Sequence, residues 1–233
     1  MNKLKPIDLS KITMVDFPQD QYFAEETSKN QITIHHTVSG PTGKFSGAEG
    51  DINSWTSDSA RIATHFIITR DGKVWQFFSS KYWGHHIGVK SDFLTKQGFK
   101  DAATRNVLLN KASISIEIDS WGILTKNADG TFNSCYGKPI SKDIQVQEYP
   151  NKFRGGQYFE KYTDAQIQST GELILFLSQK YNIPLNYNSD MWDVSKSALS
   201  GKAGIYTHVS YRNDKSDAAP QPELINMLKS LNL

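Results

Sequence analysis

The chain has 233 residues, 38% of them hydrophobic and 21% charged, with a net charge of +2 at pH 7. That balance suits a soluble globular protein, either one large domain or a domain with additions, and the charge is too small to point to nucleic acid. A single cysteine, Cys135, excludes an intramolecular disulfide and a cysteine-rich metal site, and no apolar run approaches the length of a membrane span.

Residues 1–8 carry positive charge with no apolar stretch behind them, so they do not read as a secretory signal, and synthesis in a cytoplasm is expected. Residues 1–30 are polar and aperiodic, which predicts an N-terminal extension lying on a domain that spans 31–233. Residues 32–38 alternate. Ile32, Ile34, His36 and Val38 face one way, and Thr33, His35 and Thr37 the other, as in a strand with one apolar side. A turn-rich stretch follows at 39–43, then a weakly signalled short helix at 51–57. Residues 61–70 and 73–79 read as two strands joined by Asp71-Gly72, a tight primed turn with positive φ at both positions.

Residues 100–110 suit a helix. In residues 113–119, Ile114, Ile116 and Ile118 point to a core, and Ser113, Ser115, Glu117 and Asp119 point away. Residues 122–160 mix Gly, Pro, Asn and Lys without period and are expected to form a long loop insertion, a type of segment that often carries function. Thr163-Asp164-Ala165-Gln166 is a capping box, after which Ile167, Ile174, Leu177 and Tyr181 share a helical face until Pro184 stops it. Pro222 opens a last helix with Leu224, Met227, Leu228 and Leu231 as its buried stripe. Together these elements predict an α/β fold, a central mixed sheet flanked by helices.

Two imidazoles and a carboxylate, with a second carboxylate and an ammonium, make up the usual inventory of a zinc hydrolase. His35 and His36 are adjacent on a strand and point to opposite faces, so only one of them suits an ion. His35 shares the polar face and is the candidate ligand, whereas His36 lies among aliphatics and suits a hydrogen-bonded core role. His208 and Asp217 lie nine residues apart in loop-forming sequence, which can fold back on one ion or form a solvated loop. Glu117, in an isoleucine-rich strand, faces either water or a site. Trp55, Trp83 and Trp121 suit sugar faces and core packing equally, and Cys135, with no base beside it, reads as a loop thiol.

Five segments resemble the N-acetylmuramoyl-L-alanine amidase family of phage endolysins, cytosolic anhydromuropeptide amidases and peptidoglycan recognition proteins. They are Ile34-His35-His36-Thr37, the run from His65 to Gly72, the run from Trp83 to Val89, Ile114-Ser115-Ile116-Glu117, and His208 followed by Lys215-Ser216-Asp217. Their order and spacing hold over roughly residues 30 to 230. The resemblance implies one Zn²⁺ per chain on His35, His208 and Asp217, with Glu117 as proton carrier and Lys215 as oxyanion stabiliser. It also implies hydrolysis of the amide between N-acetylmuramic acid and L-alanine. Thr64, His65, Trp83 and His86 would then contact substrate, which is peptidoglycan or a muropeptide. No nucleic acid, no membrane and a monomeric state are expected.

Two departures stand out. The family's Asp-Pro-Gly after the last ligand is Asp217-Ala218-Ala219-Pro220 here, and the Tyr that some endolysins carry before the hairpin His is Thr64. The second departure aligns the chain with the branch that uses Glu. A phage-type or wall-lytic amidase is the first expectation; a cytosolic recycling amidase and a non-catalytic recognition module are the alternatives, and loss of a ligand would mark the last.

Overall fold

A computed structural model of the chain describes residues 4–41, 43, 49–57 and 59–232. Residues 1–3 of the leader reading and Thr42 of the turn-rich stretch lie outside the described residues. In chain order the elements are β1 (Ile12–Met14), β2 (Gln31–His36), α1 (Glu49–Ser57), β3 (Phe66–Ile68), β4 (Val74–Gln76), α2 (Ser91–Lys96), α3 (Ala102–Ala112) and β5 (Ser113–Ile118). There follow β6 (Ile123–Lys126), β7 (Phe132–Ser134), β8 (Val146–Phe153), β9 (Gly156–Glu160), α4 (Asp164–Tyr181), α5 (Lys196–Leu199), β10 (Gly204–Thr207) and α6 (Pro222–Ser230).

The main sheet runs β1-β4-β3-β5-β2-β10. Strands β10, β2, β5 and β3 are mutually parallel, and β4 returns antiparallel to β3. The N-terminal extension does more than lie on the domain, because β1 pairs in parallel with β4 and adds an edge strand. One face of the sheet presents Ile32, Ile34, Phe66, Ile68, Ile114, Ile116, Ile118 and Ile205 to the apolar stripes of α4 and α6. Each fully buried aliphatic there contributes about 1.5–3 kcal/mol through removal from water.

Local chemistry sets both covering helices. The Thr163 hydroxyl accepts from the Gln166 N–H while the Gln166 side chain accepts from the Thr163 N–H, the reciprocal box expected at the start of α4. Asn182 ends α4 in the left-handed region at φ 55°. Pro222 occupies the first turn of α6, where its missing N–H costs nothing.

The opposite face of the sheet is not solvated. Ser113, Ser115 and Glu117 are all buried. They lie between a cluster that includes Ile87, Val89, Leu94, Leu109 and Tyr206 and an aromatic cluster of Phe17, Trp55, Phe77 and Phe78. Strand alternation therefore separates two enclosed faces, an apolar one and a polar one, as parallel sheets covered on both sides do.

Two further expectations are corrected. Residues 122–160 are not a loop but a four-stranded antiparallel sheet, β7-β6-β9-β8. Three of its four strands have five residues or fewer, and its turns hold Gly130, Gly137 and Gly155 at positive φ, so the segment shows no long period. The hairpin between β3 and β4 is also longer than a two-residue turn. Gly72 N–H bonds Thr69 O at 2.7 Å and Thr69 N–H bonds Lys73 O at 3.0 Å, with Gly72 at φ 80° and Asp71 not in the left-handed region. This is a three-residue loop whose glycine closes a type I turn.

Candidate active site

Sheet topology brings the predicted ligands together. β5 and β10 flank β2 on either side. His35 pairs in register with Glu117 on one side. On the other, Ile34 pairs with Thr207, so His208 emerges one residue later at the level of His35. Parallel partners in register share a face, which puts Glu117 and His35 on the enclosed polar side. The loop after His208 folds back, with the Val209 N–H bonding Asp217 O at 3.1 Å. The Asp217–Ala218 peptide bond is cis, and Ala218 and Ala219 are buried at the position of the family's Pro-Gly.

Asp217 Oδ2 lies 3.1 Å from His35 Nδ1 and 2.8 Å from His208 Nδ1. Ligand atoms of all three residues lie within 4.8 Å of one another. That separation suits an ion held tetrahedrally at about 2.0–2.2 Å by nitrogen and oxygen donors, with a fourth position left open. The outer nitrogens are also engaged. His208 Nε2 lies 2.8 Å from the Ile87 carbonyl, which can only accept, so Nε2 carries the proton and Nδ1 keeps its lone pair when the ring is neutral. His35 Nε2 lies 3.0 Å from His86 Nδ1.

Burial, and then the neighbouring His208 imidazole, push the His35 pKa down to about 4, so its ring is neutral at pH 7 and able to ligate. Burial opposes ionisation of Asp217, but the charge of His208 and the close contacts of both imidazoles with its carboxylate hold it well below the usual carboxylate range. Glu117 is pushed the other way. Burial raises its pKa well above the ordinary value, the Asp217 and Asp51 charges add to this, and the Lys215 ammonium opposes it. Glu117 Oε2 is buried with no hydrogen-bond partner among the described residues. Two carboxylates in one site are thus pushed in opposite directions, Asp217 toward the anion and Glu117 toward the acid, by their different surroundings. Lys215 is half-buried, and its charge acts on both His35 and Glu117.

The residues expected to touch substrate divide. His86 is buried beside His35, and its Nε2 has no partner among the described residues. Thr64 is buried with its hydroxyl likewise unpartnered. His65 is fully enclosed: Nδ1 meets Ser115 Oγ at 2.9 Å and the Ser115 N–H at 3.1 Å, and Nε2 meets the Tyr82 carbonyl at 3.0 Å. Its ring braces β3, β5 and residues 79–83 and has no nitrogen left for a ligand. Trp83 is buried under Phe23, with the rings stacked 3.9 Å apart, and its Nε1 donates to Glu25 at 2.9 Å. Trp55 belongs to the aromatic cluster, Trp121 is half-buried, and the Cys135 thiol is exposed. His36 takes the core role expected of it, 2.8 Å from the Tyr162 hydroxyl.

Three features are not legible in the sequence. Asp51, on α1, places a carboxylate where its charge raises the Glu117 pKa. Arg70, in the hairpin loop, donates to Asp119 Oδ2 at 2.6 Å and to both Glu160 oxygens at 2.6 and 2.8 Å. It thereby ties the end of β5 to the second sheet. Asn110, on α3, accepts from the His86 and Ile87 N–H groups at 2.8 and 3.1 Å. Only long-range packing brings these partners together, and no local pattern announces it.

The family model described as N-acetylmuramoyl-L-alanine amidase matches residues 26–222. No curated protein matches the chain. Among solved structures, the chain is similar to PlyL at 14% identity and TM-score 0.51, over 95% of this chain and 99% of that one. It is similar to the selenomethionine derivative of AmpD at 17% identity and TM-score 0.50, over 98% of both chains. A mutant endolysin from Bacillus subtilis aligns at 16% identity and TM-score 0.50, over 95% and 97%. At these identities the structural likeness is one of fold.

Proposed function

The chain belongs to the N-acetylmuramoyl-L-alanine amidase family, and we propose that it cleaves its peptidoglycan amide bond through one zinc ion held by His35, His208 and Asp217. The observation that carries this reading is the convergence of the three ligand atoms beside a buried glutamate whose Oε2 has no hydrogen-bond partner among the described residues. When bound there, zinc supplies Lewis acidity, which lowers the pKa of a water molecule and polarises the scissile carbonyl.

The remaining steps fall to side chains of this chain. Glu117 accepts a proton from the attacking water and passes it to the leaving nitrogen of L-alanine. Lys215 places its ammonium where the carbonyl oxygen becomes negative. Thr64 and His86 each offer a polar atom that has no partner among the described residues for orienting substrate. The presence of all three candidate ligands and of both catalytic candidates speaks against a recognition module that has lost catalysis.

The test is to purify the protein, measure zinc per chain, and follow release of L-alanine-terminated peptide from intact sacculi and from soluble muropeptides. About one equivalent of zinc and cleavage at that amide support the reading. Cleavage at a different bond, or full activity after exhaustive chelation, overturns it.

A further inference from the structure

The two imidazoles of the site are engaged on their outer sides by adjacent residues of one loop. The His86 ring meets His35 Nε2 at 3.0 Å, and the Ile87 carbonyl meets His208 Nε2 at 2.8 Å. The backbone of this loop is in turn fastened to one face of α3. Asn110 Oδ1 accepts from both the His86 and the Ile87 N–H groups, at 2.8 and 3.1 Å. One turn earlier, Asn106 Oδ1 accepts from the Val89 N–H at 3.0 Å. Asn110 is fully buried, and its own Nδ2 donates to the Asn106 carbonyl at 2.7 Å, which fixes the carboxamide with its oxygen toward the loop. Residues four apart on a helix share a face, so the two asparagines form one rail along the 86–89 segment.

We propose that Asn110 is a positioning residue for the metal centre. It sets the rotation of both imidazole ligands at once by fixing the two consecutive residues that hold their outer nitrogens. The proposal rests on the reading of His35 and His208 as ligands. With the metal on the Nδ1 side, each ring carries its proton on Nε2. His208 then donates to the Ile87 carbonyl and His35 donates to His86 Nδ1. Both bonds require the 86–87 backbone to stay in place, and Asn110 Oδ1 is the acceptor common to its two N–H groups. Partners behind metal-bound imidazoles fix ring orientation and tautomer, and their loss typically lowers metal affinity by about 10–100-fold.

The test compares Asn110→Leu with Asn106→Leu. Asn110→Leu removes the shared acceptor, whereas Asn106→Leu removes the Val89 contact and leaves residues 86 and 87 held. Zinc affinity is measured by competition with a chromophoric chelator, and ligand geometry by the d–d absorption of the cobalt(II)-substituted protein. Asn110→Leu is expected to weaken zinc binding by roughly tenfold or more and to change the cobalt spectrum. Asn106→Leu is expected to stay within about twofold of the parent on the same scale. If Asn110→Leu does not fold, Asn110→Ser, whose hydroxyl is too short to reach both N–H groups, is read in the same way. A melting temperature lowered equally in both variants, with parental zinc affinity and cobalt spectrum in the Asn110 variant, means that Asn110 only holds the loop, and overturns the proposal. His35→Ala tests the underlying ligand reading separately, since its failure to lose zinc removes the ligand assignment whatever Asn110 does.

Discussion

Glu117 stands across from His35 in the parallel β2–β5 pair, on the same face of the sheet. Neighbouring strands lie about 4.8 Å apart, so a carboxylate and a ligand imidazole in register reach a common point above the sheet. The relation is built into the pairing of two buried strands and does not depend on a mobile loop.

Glu117→Gln keeps the size and shape of the side chain and removes its capacity to carry a proton. The variant is expected to fold, to bind zinc as the parent does, and to lose on the order of 10²–10⁴-fold in turnover. Circular dichroism, metal analysis and a muropeptide assay check the three parts. Near-parental turnover in the zinc-loaded variant moves proton transfer to another group.

For the ligands, His208→Ala deletes one of two imidazole donors and should reduce bound zinc to a small fraction of an equivalent after dialysis against a weak chelator. Retention of a full equivalent shows that His208 is not a ligand. Asp217→Asn, which keeps the shape and removes the charge, is expected to weaken zinc binding less than His208→Ala does.

Much of this site is legible in the amino-acid sequence. Strand alternation separates His35 from His36, and the capping box at Thr163 and the stripe from Leu224 to Leu231 mark the two helices that cover the apolar face. The second sheet is not legible, because its strands carry exposed polar residues and its turns carry glycines, and that composition also describes a loop. Nor is the enclosure of Ser113, Ser115 and Glu117. Alternation tells which residues share a face, but what covers that face is decided by segments distant in sequence, here residues 86–99 and the aromatic N-terminal stretch. Trp83 and His65 carry the same lesson. Both lie in family-like motifs, yet Phe23 covers one and Ser115 with Tyr82 engages both nitrogens of the other.

Acid should destabilise the metal-free protein early. Burial lowers the pKa of His65 to about 3, and of His35 and His36 to about 4. The unfolded chain takes up these protons near pH 6.5, and the folded one only near pH 3–4. Between those values the unfolded state binds more protons, so stability rises with pH and is lost as pH falls from about 6.5. Each such histidine contributes a slope of about 1.4 kcal/mol per pH unit within that window. Urea unfolding of chelator-treated protein at pH 7.5, 6 and 5 measures it. The raised Asp119 and Glu117 carboxyls act in the opposite sense and reduce the net slope, so stability that rises as pH falls across that range overturns the expectation.

Arg70 anchors two buried carboxylates, Asp119 and Glu160. Arg70→Met keeps most of the side-chain volume and strands both acids, and removing one partner of a buried pair typically costs about 3–5 kcal/mol. The melting temperature should fall by roughly 10 °C for a chain of this size. Burial already lifts the Asp119 pKa to about 7 with Arg70 present, so its protonation at low pH partly offsets the loss. The variant's deficit should therefore shrink between pH 8 and pH 6. A deficit that does not change with pH places the cost in lost packing instead of stranded charge.

Lys215 is joined through Ser216 to Asp217, so the same fold-back that delivers the carboxylate holds the lysine backbone beside the site. Its charge lowers the pKa of both His35 and Glu117, which puts the ammonium within electrostatic reach of ligand and proton carrier alike. A positive charge there does little for a neutral amide and much for the oxyanion that forms when water adds. An interaction made mainly in the transition state lowers kcat and kcat/KM together when it is lost and leaves KM nearly unchanged. Lys215→Ala is accordingly expected to lose roughly 10²–10³-fold in kcat, as for removal of one oxyanion donor. A solvated lysine with no role gives no change. A raised KM at constant kcat assigns the ammonium to ground-state binding, for instance to a carboxylate of the stem peptide, and the oxyanion role is then withdrawn. Steady-state kinetics on a soluble muropeptide, with zinc content verified for each preparation, separates the three outcomes.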